Sequence, residues 1–187
     1  MQIFPTDLIE QCKKGNGRAQ RQLFDFYYDY MYNVCMRYVK DDMLTEDMLS
    51  QGFMNVFKNI SKFKLDQQHG LRSWIKKIMI NECLMWLRKH NNFYLVPILE
   101  AEDIAIDEPE LDKIDVSFIM QCIAELPMGY RTVLNLNVVE GFSHAEIGAM
   151  LEIKEATSRS QLNKAKQLLK QKLLQYYKLS NYGKGQF

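Results

Sequence analysis

Residues 140–174 read EGFSHAEIGAMLEIKEATSRSQLNKAKQLLKQKLL. Gly141 ends one helical pattern, and Ser143 stands as an N-cap with Glu146 at the reciprocal position of a capping box. A short helix follows, with Ile147, Met150 and Leu151 on one face. Residues Glu152 to Lys154 leave room only for a tight turn before a longer helix begins near Glu155. The apolar positions of that helix are Leu162, Ala165, Leu169 and Leu173, at spacings of three and four. One step back, the stripe is interrupted by Ser158. The opposite face carries Arg159, Ser160, Asn163, Lys164 and Gln167, all of which can donate a hydrogen bond or a positive charge. Short helix, tight turn and longer helix with a polar, cationic face form the helix-turn-helix pattern that reads DNA in the major groove.

The rest of the 187-residue chain is also read as helical, with no strand pattern, internal repeat or low-complexity tract. A first helix spans Thr6 to Lys14, capped by Thr6 or Asp7 and stopped at Gly15. A second runs from Asn16 to about Lys40 with Leu23, Phe24, Tyr27, Met31, Val34, Tyr38 and Val39 on a broad apolar face. Its aromatic density fits helical packing better than a base-stacking surface. Thr45 is the expected cap of a third helix lined by Leu49, Phe53, Val56 and Ile60. A polar connector containing Phe63 leads to a fourth helix, Leu71 to His90, which turns Leu71, Trp74, Ile75, Ile78 and Leu87 inward. Arg72, Lys76, Lys77, Arg88 and Lys89 make another of its faces basic. Periodicity fails from Phe93 to Asp112, where Pro97 and Pro109 argue against a continuous helix. It resumes with Val116, Ile119, Cys122 and Ile123, breaks at Leu126-Pro127, and resumes from Tyr130 to Val139. The expected fold is all-α: residues 1–92 as one helical domain, 93–112 as a linker, and 113–187 as a helix-turn-helix domain.

A formal net charge of +1 hides a strong asymmetry. Glu152 to Lys178 contains Lys154, Arg159, Lys164, Lys166, Lys170, Lys172 and Lys178 against Glu152 and Glu155. Glu100 to Asp115 carries eight acids against Lys113 alone. The C-terminal module is thus basic and the linker acidic. No apolar run approaches the roughly 20 residues of a membrane span, and the N-terminus lacks a basic-then-apolar leader, so a cytoplasmic protein without membrane insertion is expected. The four cysteines are scattered through helical patterns without a Cys-x-x-Cys or Cys/His cluster, so neither a metal nor a disulfide is expected. No phosphate loop or nucleophile–base arrangement is present, and His69, His90 and His144 fall in unrelated segments. Neither an enzyme nor a cofactor is expected.

This order of segments resembles an extracytoplasmic-function (ECF) sigma factor of the sigma-70 family. The resemblance covers about Asp7 to Leu173 and is strongest in EDMLSQGFMNVF, GLRSWIKKIMINECLMWLRK and ELPMGYRTVLNLNVVEGFSHAEIGAMLEIKEATSRSQLNKAK. It implies a factor that binds core RNA polymerase and directs it to promoter DNA. Glu46, Asp47, Gln51 and Phe53 would match the polymerase-docking surface. Phe63, Lys64, Lys77 and Asn81 would match the pocket for an unstacked base of the −10 element, a role that suits an amide, an aromatic and two lysines. Trp74 would pack beneath that pocket, and Trp86 is assigned to packing. Arg159, Ser160, Asn163 and Lys164 would face the −35 element, with Lys166, Arg131 and the amides at Ser143 and His144 on phosphates. The acidic linker would either mimic nucleic acid inside a basic polymerase channel or serve as a solubilising tether. An anti-sigma factor is a further partner that the resemblance allows.

Several positions depart from the family pattern. An acid is usual at Gln51, glycine at Glu152 and Ala156, proline at Lys154, valine at Ser158 and arginine at Gln161. The turn at Glu152 is expected to be strained if it needs a positive φ, and the missing arginine is expected to weaken the phosphate grip. Two other readings stay open at this level: a helix-turn-helix regulator acting without polymerase, and a helical protein that sequesters a partner.

Overall fold

The computed structural model describes residues 4–64, 70–90 and 115–182, with side chains as far as residue 176. The expected linker, residues 93–112, lies outside the described residues, as do residues 65–69 of the connector and the end of the tail, residues 183–187. The described residues contain helices and no strand. The chain divides into two compact units, Met1–Asn91 and Asn92–Phe187.

In the first unit, short turns join α1 (Thr6–Lys13), α2 (Gly17–Val39) and α3 (Asp42–Asn59); α3 runs into a 3₁₀ turn at Ile60–Lys62, and α4 spans Leu71–His90. Helices α2, α3 and α4 pack mutually, and α1 lies on α2. Apolar residues at helical spacing build the core: Leu23, Met31 and Val34 from α2, Leu49 and Val56 from α3, and Ile75, Met79 and Leu87 from α4. Where α3 approaches α4 at Gly52, a Cβ would lie 2.2 Å from Met79 Sδ, so that side chain would have to move aside. Trp74 and Ile78 are only half-buried, whereas Ile80, Cys83 and Leu84 are buried. All four cysteines are buried.

Two helix starts differ from the sequence expectation. Helix α1 begins after Pro5, with no side-chain cap. Helix α3 begins three residues before Thr45. Asp41 is its cap, and its carboxylate accepts a 2.9 Å bond from the Leu44 amide. The cause lies in the preceding turn. Lys40 takes a left-handed conformation, φ 58°, that ends α2 and leaves Asp41 extended, the geometry an N-cap needs. Thr45 is therefore one turn inside the helix, and buried.

In the second unit, α5 (Val116–Ala124), α6 (Met128–Leu134) and α7 (His144–Leu151) gather around α8 (Glu155–Tyr182). Asp115 caps α5 by accepting from the Ser117 amide at 2.8 Å. Cys122, Leu126, Tyr130, Val133, Leu136, Ile147, Leu151, Leu162, Ala165 and Leu173 are buried. Val116, expected to face inward, is 71% exposed, one residue into the helix. The pattern from Tyr130 to Val139 is a helix, but its last turn, Asn135–Val139, widens into a π-helical turn with Glu140 N donating to Asn135 O. Gly141, at φ 80°, then reverses the chain toward α7.

Candidate nucleic-acid interface

The entry to α7 forms the capping box read from the sequence. Ser143 Oγ accepts from the Glu146 amide at 3.2 Å, and Glu146 Oε2 accepts from the Ser143 amide at 2.8 Å. The Ser143 amide, expected to hold a phosphate, is thereby engaged within the protein. Side by side with this cap, His144 Nδ1 lies 2.9 Å from Ser158 Oγ on α8. Ser158 is completely buried, so the gap in the apolar stripe is a buried polar contact between the two helices.

The turn between α7 and α8 is tight. Glu152 adopts φ 59°, ψ 39°, in the left-handed region, so the condition for strain at that turn is met, and its amide donates to Gly148 O. Ile153 N donates to the same carbonyl at 3.0 Å. Gly148 lies so close to the returning chain that a Cβ would sit 2.9 Å from Ile153 O.

Beyond the turn, Arg159, Ser160, Asn163 and Lys166 are exposed on α8, and Lys164 is half-buried. Arg159 Nη2 donates to Glu155 one turn earlier, so a base or phosphate must exchange with that carboxylate. Gln161 is buried beside Leu162. Its departure from arginine therefore falls on the packed face of α8, and the expectation of a lost surface contact there does not hold.

Arg131 is corrected as well. It is 6% exposed, and its Nη1 donates at 3.1 Å to both Ala124 O and Leu126 O. Burial pushes the guanidinium pKa below its ordinary value. Arg131 thus satisfies carbonyls at the end of α5, which the helix itself leaves without partners. It does not face solvent as a phosphate ligand would.

In the first unit, Lys64, Lys77 and Asn81 are exposed, the last two one turn apart on α4. Phe63 is buried with its ring centroid 5.2 Å from that of Trp74, so it anchors the connector instead of offering an open stacking face. Arg72 lies over the Tyr30 ring, 4.8 Å from its centroid.

On α3, Asp47 and Gln51 are exposed, as are Met43 and Met54. Their spacings of three and four put all four residues on one outward stripe. Glu46 is exposed and accepts from the Tyr28 hydroxyl. The neighbouring Tyr32 hydroxyl donates to Asp42, which pushes the phenol pKa up to about 12. Phe53, expected on the docking surface, is 2% exposed and packs 4.7 Å from the Phe24 ring. It belongs to the core. Sequence reasoning assigned Trp86 to packing, but here it lines a groove of about 330 Å³ with Met48, Gln51, Glu82, Met85 and Lys89. Asn55 Nδ2 donates to the buried Glu82 at 2.7 Å, which fixes that carboxylate between α3 and α4. The signal for the groove was Met85, an exposed apolar residue out of step with the core stripe of α4.

Two family descriptions match the chain in the order of the two units. Sigma-70 region 2 matches residues 23–93, and Sigma-70, region 4 matches residues 119–169. The chain belongs to the sigma-70 family. Its curated relatives include the ECF RNA polymerase sigma factor SigW of Bacillus subtilis, 26% identical over 92% of this chain and 98% of the relative. The ECF RNA polymerase sigma-E factor of Haemophilus influenzae is 22% identical over 92% and 96%. The RNA polymerase sigma-H factor of Pseudomonas aeruginosa is 24% identical over 87% and 90%. This sigma-70 chain therefore carries both regions, and these three relatives align along 90% or more of their length. Among its described residues no helix is long and apolar enough to cross a membrane.

Proposed function

We propose that this chain is an ECF sigma factor that binds core RNA polymerase and directs it to a specific class of promoters, without enzymatic activity of its own. The observation that carries the reading is the capped helix-turn-helix with Arg159, Ser160, Asn163 and Lys166 exposed on its second helix, within a chain that matches regions 2 and 4 in order. Residues 1–92 would act as region 2, residues 113–187 as region 4, and the acidic residues 93–112 as the connection. Arg159 and Asn163 would read base edges of the −35 element, with Ser160, Lys164, Lys166 and His144 alongside. Lys64, Lys77 and Asn81 would serve the −10 element, with Phe63 and Trp74 holding their connector. Asp47 and Gln51, beside Glu46, would dock on the polymerase. The working compartment is the cytoplasm, where polymerase and promoters meet.

Run-off transcription with core RNA polymerase and a genomic promoter pool tests this. Transcripts from a discrete set of start sites, dependent on the chain, are expected. DNA binding without any polymerase-dependent transcript would point instead to a regulator, and no DNA binding with or without polymerase would point to a sequestering protein.

A further inference from the structure

The hydrogen bond between His144 and Ser158 joins the first residue of α7 to the buried face of α8. Neutral imidazole carries one proton, and the partner of one ring nitrogen decides which nitrogen holds it. The Ser158 hydroxyl is completely buried and needs an acceptor for its own proton. The Lys154 carbonyl, one turn back, accepts the Ser158 amide at 3.1 Å. The Nδ1 lone pair of His144, 2.9 Å from the hydroxyl, is an acceptor within reach. If Ser158 donates there, the imidazole proton must sit on Nε2. His144 is itself part-exposed at the first position of α7, the helix end whose partial positive charge favours a phosphate.

We infer that Ser158 is a positioning residue for DNA binding: by donating to Nδ1 it holds His144 as the Nε2–H tautomer, so that the ring presents a donor to a backbone phosphate beside the N-terminus of α7. The inference rests on the proposed role of α7 and α8 at DNA. It assigns to Ser158, a residue with no exposed atom to offer DNA, an effect exerted through His144. The reverse arrangement, Nδ1–H donating to Ser158, would turn the bare Nε2 lone pair toward the phosphate and repel it. A neutral donor adds affinity without releasing a counterion, so its effect is independent of sequence and leaves the salt slope unchanged.

The test uses the full chain with core RNA polymerase and two short duplexes, one selected from a randomised pool by the wild-type complex and one scrambled. Long-range proton–nitrogen spectra of the free chain, assigned with His144→Gln, report the tautomer directly at alkaline pH. The expected spectrum shows His144 protonated on Nε2. Ser158→Ala is expected to lose that preference and to weaken both duplexes by about twofold, because an imidazole without a preferred tautomer offers the donor about half the time. Ser158→Thr keeps a hydroxyl and should restore both tautomer and affinity. A purely structural serine would lower the melting temperature in Ser158→Ala while leaving the affinity of the folded fraction unchanged, and that result overturns the inference. So does a wild-type spectrum with the proton on Nδ1. A wild-type complex that binds neither duplex overturns the DNA reading and the inference together, whereas failure of the tautomer or of the variant in a complex that does bind overturns the inference alone.

Discussion

Replacing Gly148 by alanine sets two opposing effects against each other. Alanine is the better helix former by about 1 kcal/mol, and position 148 lies inside α7, so local propensity alone favours the change. The tertiary structure opposes it. A Cβ at 148 would lie 2.9 Å from Ile153 O. That oxygen belongs to the backbone and cannot swing aside as the end of a side chain would. The turn has little slack, because Glu152 is at φ 59° and the amides of both Glu152 and Ile153 are bonded to Gly148 O. Overpacking of this kind costs about 1–3 kcal/mol, and stretching a turn hydrogen bond adds roughly 0.5–1.5 kcal/mol. After the propensity gain, a net loss of about 1–3 kcal/mol is expected. For a unit of this size each kcal/mol corresponds to roughly 4–8 °C in melting temperature. The two tryptophans, Trp74 and Trp86, both lie in the first unit, so tryptophan fluorescence follows that unit while far-ultraviolet dichroism follows both. Gly148→Ala should lower a dichroism transition by at least about 4 °C and leave the fluorescence transition in place. A variant as stable as wild type, or more so, would show that the turn yields and that helix propensity decides; the argument from close approach would then be wrong.

Asp47→Arg reverses the charge of an exposed residue on the outward stripe of α3; it should weaken core polymerase binding, measured by co-sedimentation, with unchanged helical content. Arg159→Ala and Asn163→Ala should each cost on the order of 1–3 kcal/mol at one base pair and relax preference there, whereas Lys166→Ala should weaken selected and scrambled duplexes alike and reduce the salt slope by about one unit; equal losses on both duplexes for Arg159→Ala would assign arginine to the backbone. Arg131→Ala should destabilise the second unit by roughly 2–4 kcal/mol through lost bonds to Ala124 and Leu126 and the space left behind, yet leave the salt slope of the folded fraction unchanged; a slope smaller by one unit would return Arg131 to the phosphates.

The sequence made the local devices legible. The capping box at Ser143 and Glu146 and the span of α4 each depend on residues within a turn or two of one another. The left-handed angle at Glu152 was also within reach, since a turn so short between two helices has few backbone solutions. What escaped was set by residues distant in the chain. Arg131 reads as a surface cation because arginine is rarely buried, and nothing near it in sequence announces the open carbonyls that end α5. Phe53 was legible as part of the apolar stripe of its own helix; only the resemblance placed it on the docking surface, and the core claims it through Phe24, a residue of α2. The π turn at Asn135–Val139 has no compositional mark at all.

Of the departures from the family pattern, Glu152 and Ser158 lie where α7 and α8 meet, and Gln161 is buried on α8. A non-glycine residue in the left-handed region costs roughly 1–2 kcal/mol. Against it stand two amides bonded to Gly148 O and the hydrogen bond between His144 and Ser158, each worth about 0.5–1.5 kcal/mol net. These are of the same size as the strain, so the module tolerates a turn without glycine at position 152. The glycine the turn does require is Gly148, where the obstacle is a carbonyl oxygen and not a backbone angle. Ser158 and Gln161 then fall on the packed face of α8. Arg159, Ser160, Asn163 and Lys166 remain outside, so the departures alter how the recognition helix is held more than what it presents.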